Sequence, residues 1–169
     1  MIAKSVSTKK HDIRLILDNI RSVHNVGSIF RTAETLGIST IYCIGTTPAP
    51  FDRFGLKRKD FAKVSLGAEE MVRWEHVDDD SKSLKAFLAK LKKEGFQIIA
   101  VEQSERAVDY RTVRLKDKAA IILGNEVDGV GANLLKFADM IAEIPLHGRK
   151  ESLNVSVAAG VALFRMVGR

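Results

Sequence analysis

The sequence lacks several features that would each indicate a particular class of protein. No apolar run approaches the ~20 residues of a membrane-spanning helix, and the first residues have no apolar centre of the kind found in secretory signals. Cys43 is the only cysteine, so an internal disulfide is excluded, and its apolar neighbours predict a buried, unreactive thiol. We therefore expect a cytoplasmic protein that makes no membrane contact.

Motifs for three common kinds of cofactor site are also missing. No group of His, Cys, Asp and Glu has the spacing of a zinc site, so we predict no metal. The run from Gly124 to Gly131 is rich in glycine, which lets the backbone approach a ligand closely. It nevertheless carries neither the Gly-x-Gly-x-x-Gly of dinucleotide-binding proteins nor the Gly-Lys-Ser/Thr of a phosphate loop. A dinucleotide enzyme and a P-loop nucleotidase are therefore both disfavoured.

Negative charge is in deficit, which makes a polyanionic partner plausible. The chain has a net charge of +6 and a pI near 9.5. Residues 46–63 lack any helical or strand pattern and hold five basic side chains against two acidic ones. This segment is either a solvated surface loop or one that contacts phosphates. Its phenylalanines, Phe51, Phe54 and Phe61, either stack on bases or anchor the segment to the core.

Strands and helices alternate along the rest of the chain. Apolar, β-branched runs predict strands at residues 13–17, 40–45, 96–101, 119–123 and 140–144. Apolar faces with a helical period predict helices over 26–36 and 84–91, a short one at 134–135, and another from Asn154 onward. The fold class is therefore α/β, with a mainly parallel sheet and helices on both faces. We assign residues 13–169 to one domain, and residues 1–12 to a flexible basic arm.

Three polar clusters follow predicted strands, and a ligand site is expected where they meet. The clusters are Asn25/Gly27/Arg31, Gly124/Asn125/Glu126 and Ser152/Asn154. Parallel strands place their carboxyl ends at one edge of the sheet, which is where α/β proteins bind ligands. Either Ser152 or Asn154 can cap the C-terminal helix. That helix is apolar on nearly every side, so a second subunit is expected to cover part of it.

The same clusters carry a family resemblance. The segment NIRSVHNVGSIFRTA (residues 19–33) resembles the first motif of the SpoU (TrmH-like) branch of the SPOUT RNA methyltransferases. ILGNEVDGV (residues 122–130) resembles the second, and IPLHG with SLNVSVA (residues 144–148 and 152–158) resembles the third. All three occur in order and span nearly the whole chain.

The resemblance implies an enzyme that transfers a methyl group from S-adenosylmethionine to a ribose 2′-hydroxyl of tRNA or rRNA. It also implies a C-terminal trefoil knot and a homodimer formed through the C-terminal helix and the knot region. By motif position, the second and third motifs would form the donor site. The residues implied to bind the donor are Gly124, Asn125, Ile144, Leu146, Leu153 and Asn154. A similar segment at residues 101–103 places Gln103 near the same pocket.

The catalytic residues implied by the resemblance are Arg31, Asn25, Glu126, Ser152 and Asn154. The role of Arg31 is open, because arginine is effectively always protonated. Removing its proton at pH 7 requires a pKa shift of ~5 units, roughly 7 kcal/mol. Arg31 therefore acts either as a base positioned by a substrate phosphate, or as a cation that holds the phosphate and stabilises charge on the 2′-oxygen.

Two other functions remain open at this point. A non-catalytic RNA-binding protein could retain the fold, and a related enzyme could methylate a base rather than a ribose. The sequence names neither the RNA nor the nucleotide, nor any additional RNA-binding partner.

Overall fold

The computed structural model describes residues 11–168, so nearly all of the predicted basic arm lies outside the described residues. Within residues 11–168, seven strands and six α-helices follow one another. The strands are β1 (Asp12–Asp18), β2 (Thr40–Ile44), β3 (Arg73–Val77), β4 (Gln97–Val101), β5 (Val108–Asp109), β6 (Lys118–Gly124) and β7 (Met140–Glu143). The helices are α1 (Val23–Thr35), α2 (Lys59–Ser65), α3 (Ala68–Met71), α4 (Ser81–Lys93), α5 (Ala132–Leu135) and α6 (Val155–Met166).

All strand pairs in the sheet are parallel, and the strand order is β3-β2-β1-β6-β4-β7-β5. The central strands are continuous apolar runs, as expected for strands buried on both faces. Asp18 at the end of β1 lies opposite Ile44 of β2 and Gly124 of β6. The three strands therefore end at the same edge, and the segments that follow them emerge side by side.

Helices cover both faces of the sheet, which confirms the predicted α/β class. One apolar core lies between the sheet and the helices α1, α2, α3 and α6. The second lies between the sheet and the helices α4 and α5. Asp80 caps α4 by accepting hydrogen bonds from the backbone N–H groups of Lys82 and Ser83. The trefoil knot stays a prediction.

Cys43 is fully buried, as predicted, and burial raises the pKa of its thiol to about 12. The thiol therefore stays protonated at neutral pH, and thiolate chemistry is not available to it.

The structure differs from the prediction between residues 46 and 77. The segment 46–63 was predicted to be irregular, but its last part forms the start of α2, in which Phe61 is fully buried. Strand β3 was missed because it is an edge strand with mostly exposed side chains, so it has no apolar run. Strand β5 was missed because it has only two residues.

Across residues 11–168, none of the helices combines the length and the apolar character needed to cross a lipid bilayer.

Candidate functional site

A cleft of about 330 Å³ opens at the carboxyl edge of the sheet, within the ~300–1,000 Å³ range of small-molecule sites. Its wall is made by the ends of β4 and β6, the segment after β7 and the first turns of α6. Six residues placed here from the sequence line the cleft: Gln103, Gly124, Asn125, Ile144, Leu146 and Leu153. Gln103 also spans its mouth, because its side-chain amide donates a hydrogen bond to the Glu151 carbonyl oxygen at 2.6 Å.

One wall of the cleft is a tight turn after β6, which we call the glycine turn (residues 124–131). The Asn125 side-chain oxygen accepts hydrogen bonds from the backbone N–H groups of Val127 and Asp128, at 2.9 and 2.8 Å. The Gly129 N–H closes the turn onto the Asn125 carbonyl oxygen at 3.1 Å. A Cβ on Gly124 would lie 2.2 Å from the Gly129 carbonyl carbon. The turn can therefore close only with glycine at position 124.

Two carboxylates hold the glycine turn from the strands on either side of β6. Asp18, at the end of β1, accepts a hydrogen bond from the Gly131 N–H at 2.7 Å. Glu102, directly after β4, accepts one from the Val130 N–H at 2.8 Å. Asp18 is only 5% exposed, and its burial raises the pKa of its carboxyl group. These carboxylates fix where the turn sits relative to the cleft.

Neither acid was predicted to have a role, although the sequence carries a signal for both. Asp18 ends a strand whose other inner residues are apolar, and Glu102 comes directly after another such strand. An acidic side chain at the end of a buried strand can accept hydrogen bonds from the unpaired backbone N–H groups of a neighbouring turn.

The three polar clusters do meet, through a hydrogen-bonded network above the cleft. The Asn25 side-chain NH₂ donates to a carboxylate oxygen of Glu126, and the Asn25 side-chain oxygen accepts from the Asn154 NH₂ at 3.2 Å. Asn154 also caps α6, because its side-chain oxygen accepts the Ser156 N–H at 2.9 Å. Ser22 caps α1 by accepting the N–H of Asn25. Both helices therefore begin at the network, which fixes its amide side chains.

Two other predicted residues, Arg31 and Ser152, do not join this network. Arg31 is exposed on α1; its carbonyl oxygen accepts a hydrogen bond from the Thr35 hydroxyl, but its side chain makes no hydrogen bond or ion pair within residues 11–168. Ser152 lines the cleft but is not the cap of α6, a role that falls to Asn154. Asn154 is not among the residues that line the cleft, although the motif implied that it binds the donor. The residues that the structure describes contain no group of three metal-ligating side chains.

The charges around the cleft select the kind of ligand it can hold. Glu102, Glu126 and Glu151 line it, whereas no lysine, arginine or histidine among the described residues does so. Apolar side chains of β4, β6, α6 and the segment after β7 supply much of the remaining surface. A phosphate-bearing ligand would meet repulsion here, because like charges in a partly dry cleft interact more strongly than in water. The lining fits a ligand with an apolar body and a positive charge.

Comparison with known proteins gives concordant results over almost the whole chain. The model of the SpoU rRNA Methylase family matches residues 12–164. The chain is 31% identical over 156 residues to the tRNA (guanosine(18)-2′-O)-methyltransferase of Aquifex aeolicus, covering 92% of this chain and 69% of that protein.

Two solved structures are similar in fold. An AdoMet-bound rRNA methyltransferase from Sinorhizobium meliloti superimposes with a TM-score of 0.80 at 27% identity, covering 95% of this chain and 57% of its own. A second structure, which concerns the 2-OH methylation of C/U34 on tRNA, superimposes with a TM-score of 0.73 at 27% identity. In that case 95% of this chain and 99% of the other are covered. The chain thus spans little more than half of the first structure and nearly all of the second.

Proposed function

The chain belongs to the SpoU rRNA Methylase family, and we propose that it transfers a methyl group from S-adenosylmethionine to a ribose 2′-hydroxyl of RNA. The Aquifex relative is named for this reaction on tRNA, and the Sinorhizobium structure holds the same donor. An RNA substrate present in the cell interior makes the cytoplasm the expected location.

The observation that carries this proposal is the charge of the cleft. S-adenosylmethionine supplies an electrophilic methyl group on a sulfonium cation. The carboxylates of Glu102 and Glu126 favour such a cation, and no basic side chain of the described residues opposes it there. Gly124, Ile144 and Leu153 would hold the donor through backbone groups and apolar contact, with Asn125 and Leu146 beside them. Gly124 lets the glycine turn close as one wall of the cleft, because a Cβ at this position would collide with the Gly129 backbone.

The network above the cleft is the proposed place of the reacting ribose. Asn25 is fixed by hydrogen bonds to Glu126 and Asn154, and these side chains are held by two helix starts and the glycine turn. Such fixed groups favour in-line alignment of the ribose oxygen with the methyl group, which supplies much of the rate of a bimolecular transfer. Ser152, which lines the cleft, would contact the same ribose.

Arg31 is assigned to the RNA rather than to the donor. Its side chain is exposed and has no partner among residues 11–168, so it is available to a substrate phosphate. A protonated guanidinium there stabilises negative charge as it develops on the 2′-oxygen. If Arg31 instead acted as a base, the cost would be roughly 7 kcal/mol, because its guanidinium must first lose a proton.

The central experiment combines donor binding with methyl transfer. Calorimetry measures S-adenosylmethionine binding, and transfer of a tritiated methyl group to bulk tRNA and rRNA measures activity. Arg31→Ala is expected to abolish transfer and to leave donor affinity unchanged, whereas Arg73→Ala, at the start of β3, is expected to change neither. Normal turnover by Arg31→Ala would refute the assignment of Arg31.

The product of the same reaction tests the remaining alternatives. Digestion of the methylated RNA should release 2′-O-methylnucleosides, and a methylated base would contradict ribose chemistry. An RNA-binding protein without transfer would also contradict the proposal. The relatives act on guanosine 18 of tRNA, on rRNA and on C/U34 of tRNA. Mapping ribose methylations lost on gene deletion would identify the nucleotide.

We also propose a homodimer formed through α6. Helix α6 packs against α1 on one side, but Val157, Val161 and Phe164 form an exposed apolar stripe on another. Their spacing of four and three residues places them on one face. A second copy with the same stripe would bury both, as expected of a two-fold interface.

A further inference from the structure

The segment between β2 and α2 contains a tightly ordered turn at residues 51–57, which we call the Phe54 turn. The Asp52 carboxylate accepts hydrogen bonds from the N–H groups of Phe54 and Leu56, at 2.8 and 2.9 Å. The Asp52 N–H donates to the Leu56 carbonyl oxygen at 2.9 Å, and Phe51 pairs with Lys57 across the turn. The turn is thus held in one shape by its own hydrogen bonds.

The three phenylalanines of this region have different environments. Phe61 is fully buried and meets Phe30 of α1 edge-on, with ring centroids 5.1 Å apart. Phe51 stacks on Trp74 of β3 at 6.1 Å and anchors the base of the turn. Phe54, at its tip, is 74% exposed, and the Arg53 guanidinium lies 4.8 Å from its ring centroid. Phe61 therefore attaches the segment to the core, Phe51 is 41% exposed against Trp74, and Phe54 faces solvent.

The positive charge around this tip is only partly neutralised. Lys57 is paired with Glu69 and Glu70, and Arg58 with Asp60. Arg53, Lys59 and Lys63 have no acidic partner within 4.0 Å among the residues that the structure describes. An exposed aromatic ring beside unpaired cations suits a strand that carries both bases and phosphates, because stacking and charge neutralisation then act together.

The Phe54 turn lies on the same side of the sheet as the proposed RNA-facing residues. Trp74, under its base, packs into the core that α1 and α6 cover. Helix α2, which follows the turn, packs along α1, the helix that carries Asn25 and Arg31. The turn sits over β3 and the cleft begins at β6, three strand spacings or about 15 Å away across the sheet, and the cleft lies further towards the carboxyl edge. A partner that contacts both must therefore be extended.

We propose that the Phe54 turn is a docking site for the RNA substrate, in which the Phe54 ring stacks on an unpaired base while Arg53 contacts a neighbouring phosphate. This inference rests on the proposed function. It adds a second contact, remote from the methylated ribose, that selects RNA with an unstacked base separated from the target nucleotide. Lys59 and Lys63 extend the positive surface from the turn along α2.

The test measures RNA binding by fluorescence anisotropy, with labelled bulk tRNA and oligo(U) as probes. Phe54→Ala is expected to weaken binding by roughly fivefold to a hundredfold, the range for loss of one stacked base. Phe54→Trp should retain the affinity, and Phe54→Leu should lose it, because leucine is apolar but has no aromatic face. Met71→Ala, which removes a side chain 71% exposed on α3, is the matched control and should bind normally.

Salt dependence tests the role of Arg53 separately. Arg53→Gln is expected to lower the slope of log affinity against log salt by roughly 0.7, the value for one phosphate contact on a single strand. Lys85→Gln, on α4 across the sheet, should leave the slope unchanged.

Two results would overturn the inference. One is equal RNA affinity of Phe54→Ala, Phe54→Leu and the unmodified protein. The other is a Phe54 variant with unchanged RNA affinity but an altered molar mass in light scattering, which would make the turn a protein interface.

Donor calorimetry keeps this test distinct from that of the proposed function. An unmodified protein that binds donor and methylates RNA, with Phe54 variants that bind RNA normally, refutes only the docking site. Absence of donor binding refutes the proposed function, and the anisotropy comparison still tests the docking site.

Discussion

Replacing Gly124 with alanine tests whether the closed glycine turn forms the donor cleft. The new Cβ would lie 2.2 Å from the Gly129 carbonyl carbon and 2.3 Å from the Val130 nitrogen, both backbone atoms. Ordinary contact begins at 3.4 Å, so the two sides of the turn must separate by about 1 Å. Overpacking of this kind costs about 1–3 kcal/mol. The separation also weakens the bond from the Val130 N–H to Glu102, a charged acceptor worth about 1.5–3 kcal/mol.

We therefore expect Gly124→Ala to lower the free energy of unfolding by about 3 kcal/mol, which corresponds to a melting temperature lower by about 6–12 °C. Donor affinity should fall at least about tenfold, because the turn is one wall of the cleft. Thermal unfolding and calorimetry with S-adenosylmethionine measure the two effects. Gly148→Ala is the matched control, since nothing lies within 4 Å of its added Cβ. Equal melting temperatures and donor affinities for the two variants would refute this account of the turn.

Three further predictions concern other parts of the molecule. Glu126→Gln should weaken donor binding by about two- to fivefold in calorimetry, as loss of one exposed charge contact does; an unchanged affinity would contradict the charge argument for the cleft. Asp18 has a pKa raised by burial, so its contribution to stability is present below the ordinary value of 3.8 and lost as the pH rises through the raised value. Urea unfolding should accordingly show that the unmodified protein loses stability relative to Asp18→Asn as the pH rises from 3.8. A stability difference between the two proteins that does not change with pH would contradict the raised pKa of Asp18. Val161→Glu should give a monomer in light scattering while Lys85→Glu does not, and a dimer that survives Val161→Glu would exclude the α6 stripe as its interface.

The sequence was most informative where one physical signal dominated. Strands β1, β2, β4 and β6 are buried on both faces, so their apolar runs predicted them. Strand β3 lies at the edge of the sheet with little burial, and the sequence carried no comparable signal there. The short helix α2 follows a proline-containing segment and covers only seven residues, too few to show a helical period clearly.

The candidate site was also predicted only in part from the sequence. Residues on strand ends and helix starts, such as Asn25 and Asn154, were predicted to converge because parallel strands share an edge, and their hydrogen bonds confirm it. The partners of individual N–H groups could not be predicted in the same manner. Asp18 and Glu102 bind a turn that lies between them in space but more than 25 residues away in sequence. Such pairing depends on the strand order, which alternation of strands and helices does not specify.

The hydrogen-bonded network of Asn25, Glu126 and Asn154 also determines at which stage of folding the site forms. Its two links join residues 101 and 129 positions apart, and the second involves the residue that begins the last helix. A nascent chain cannot make that link until the start of α6 has left the ribosome. Closing loops of this length is costly in entropy, and folding dominated by such distant contacts is slow. The site is therefore among the last parts of the molecule to form.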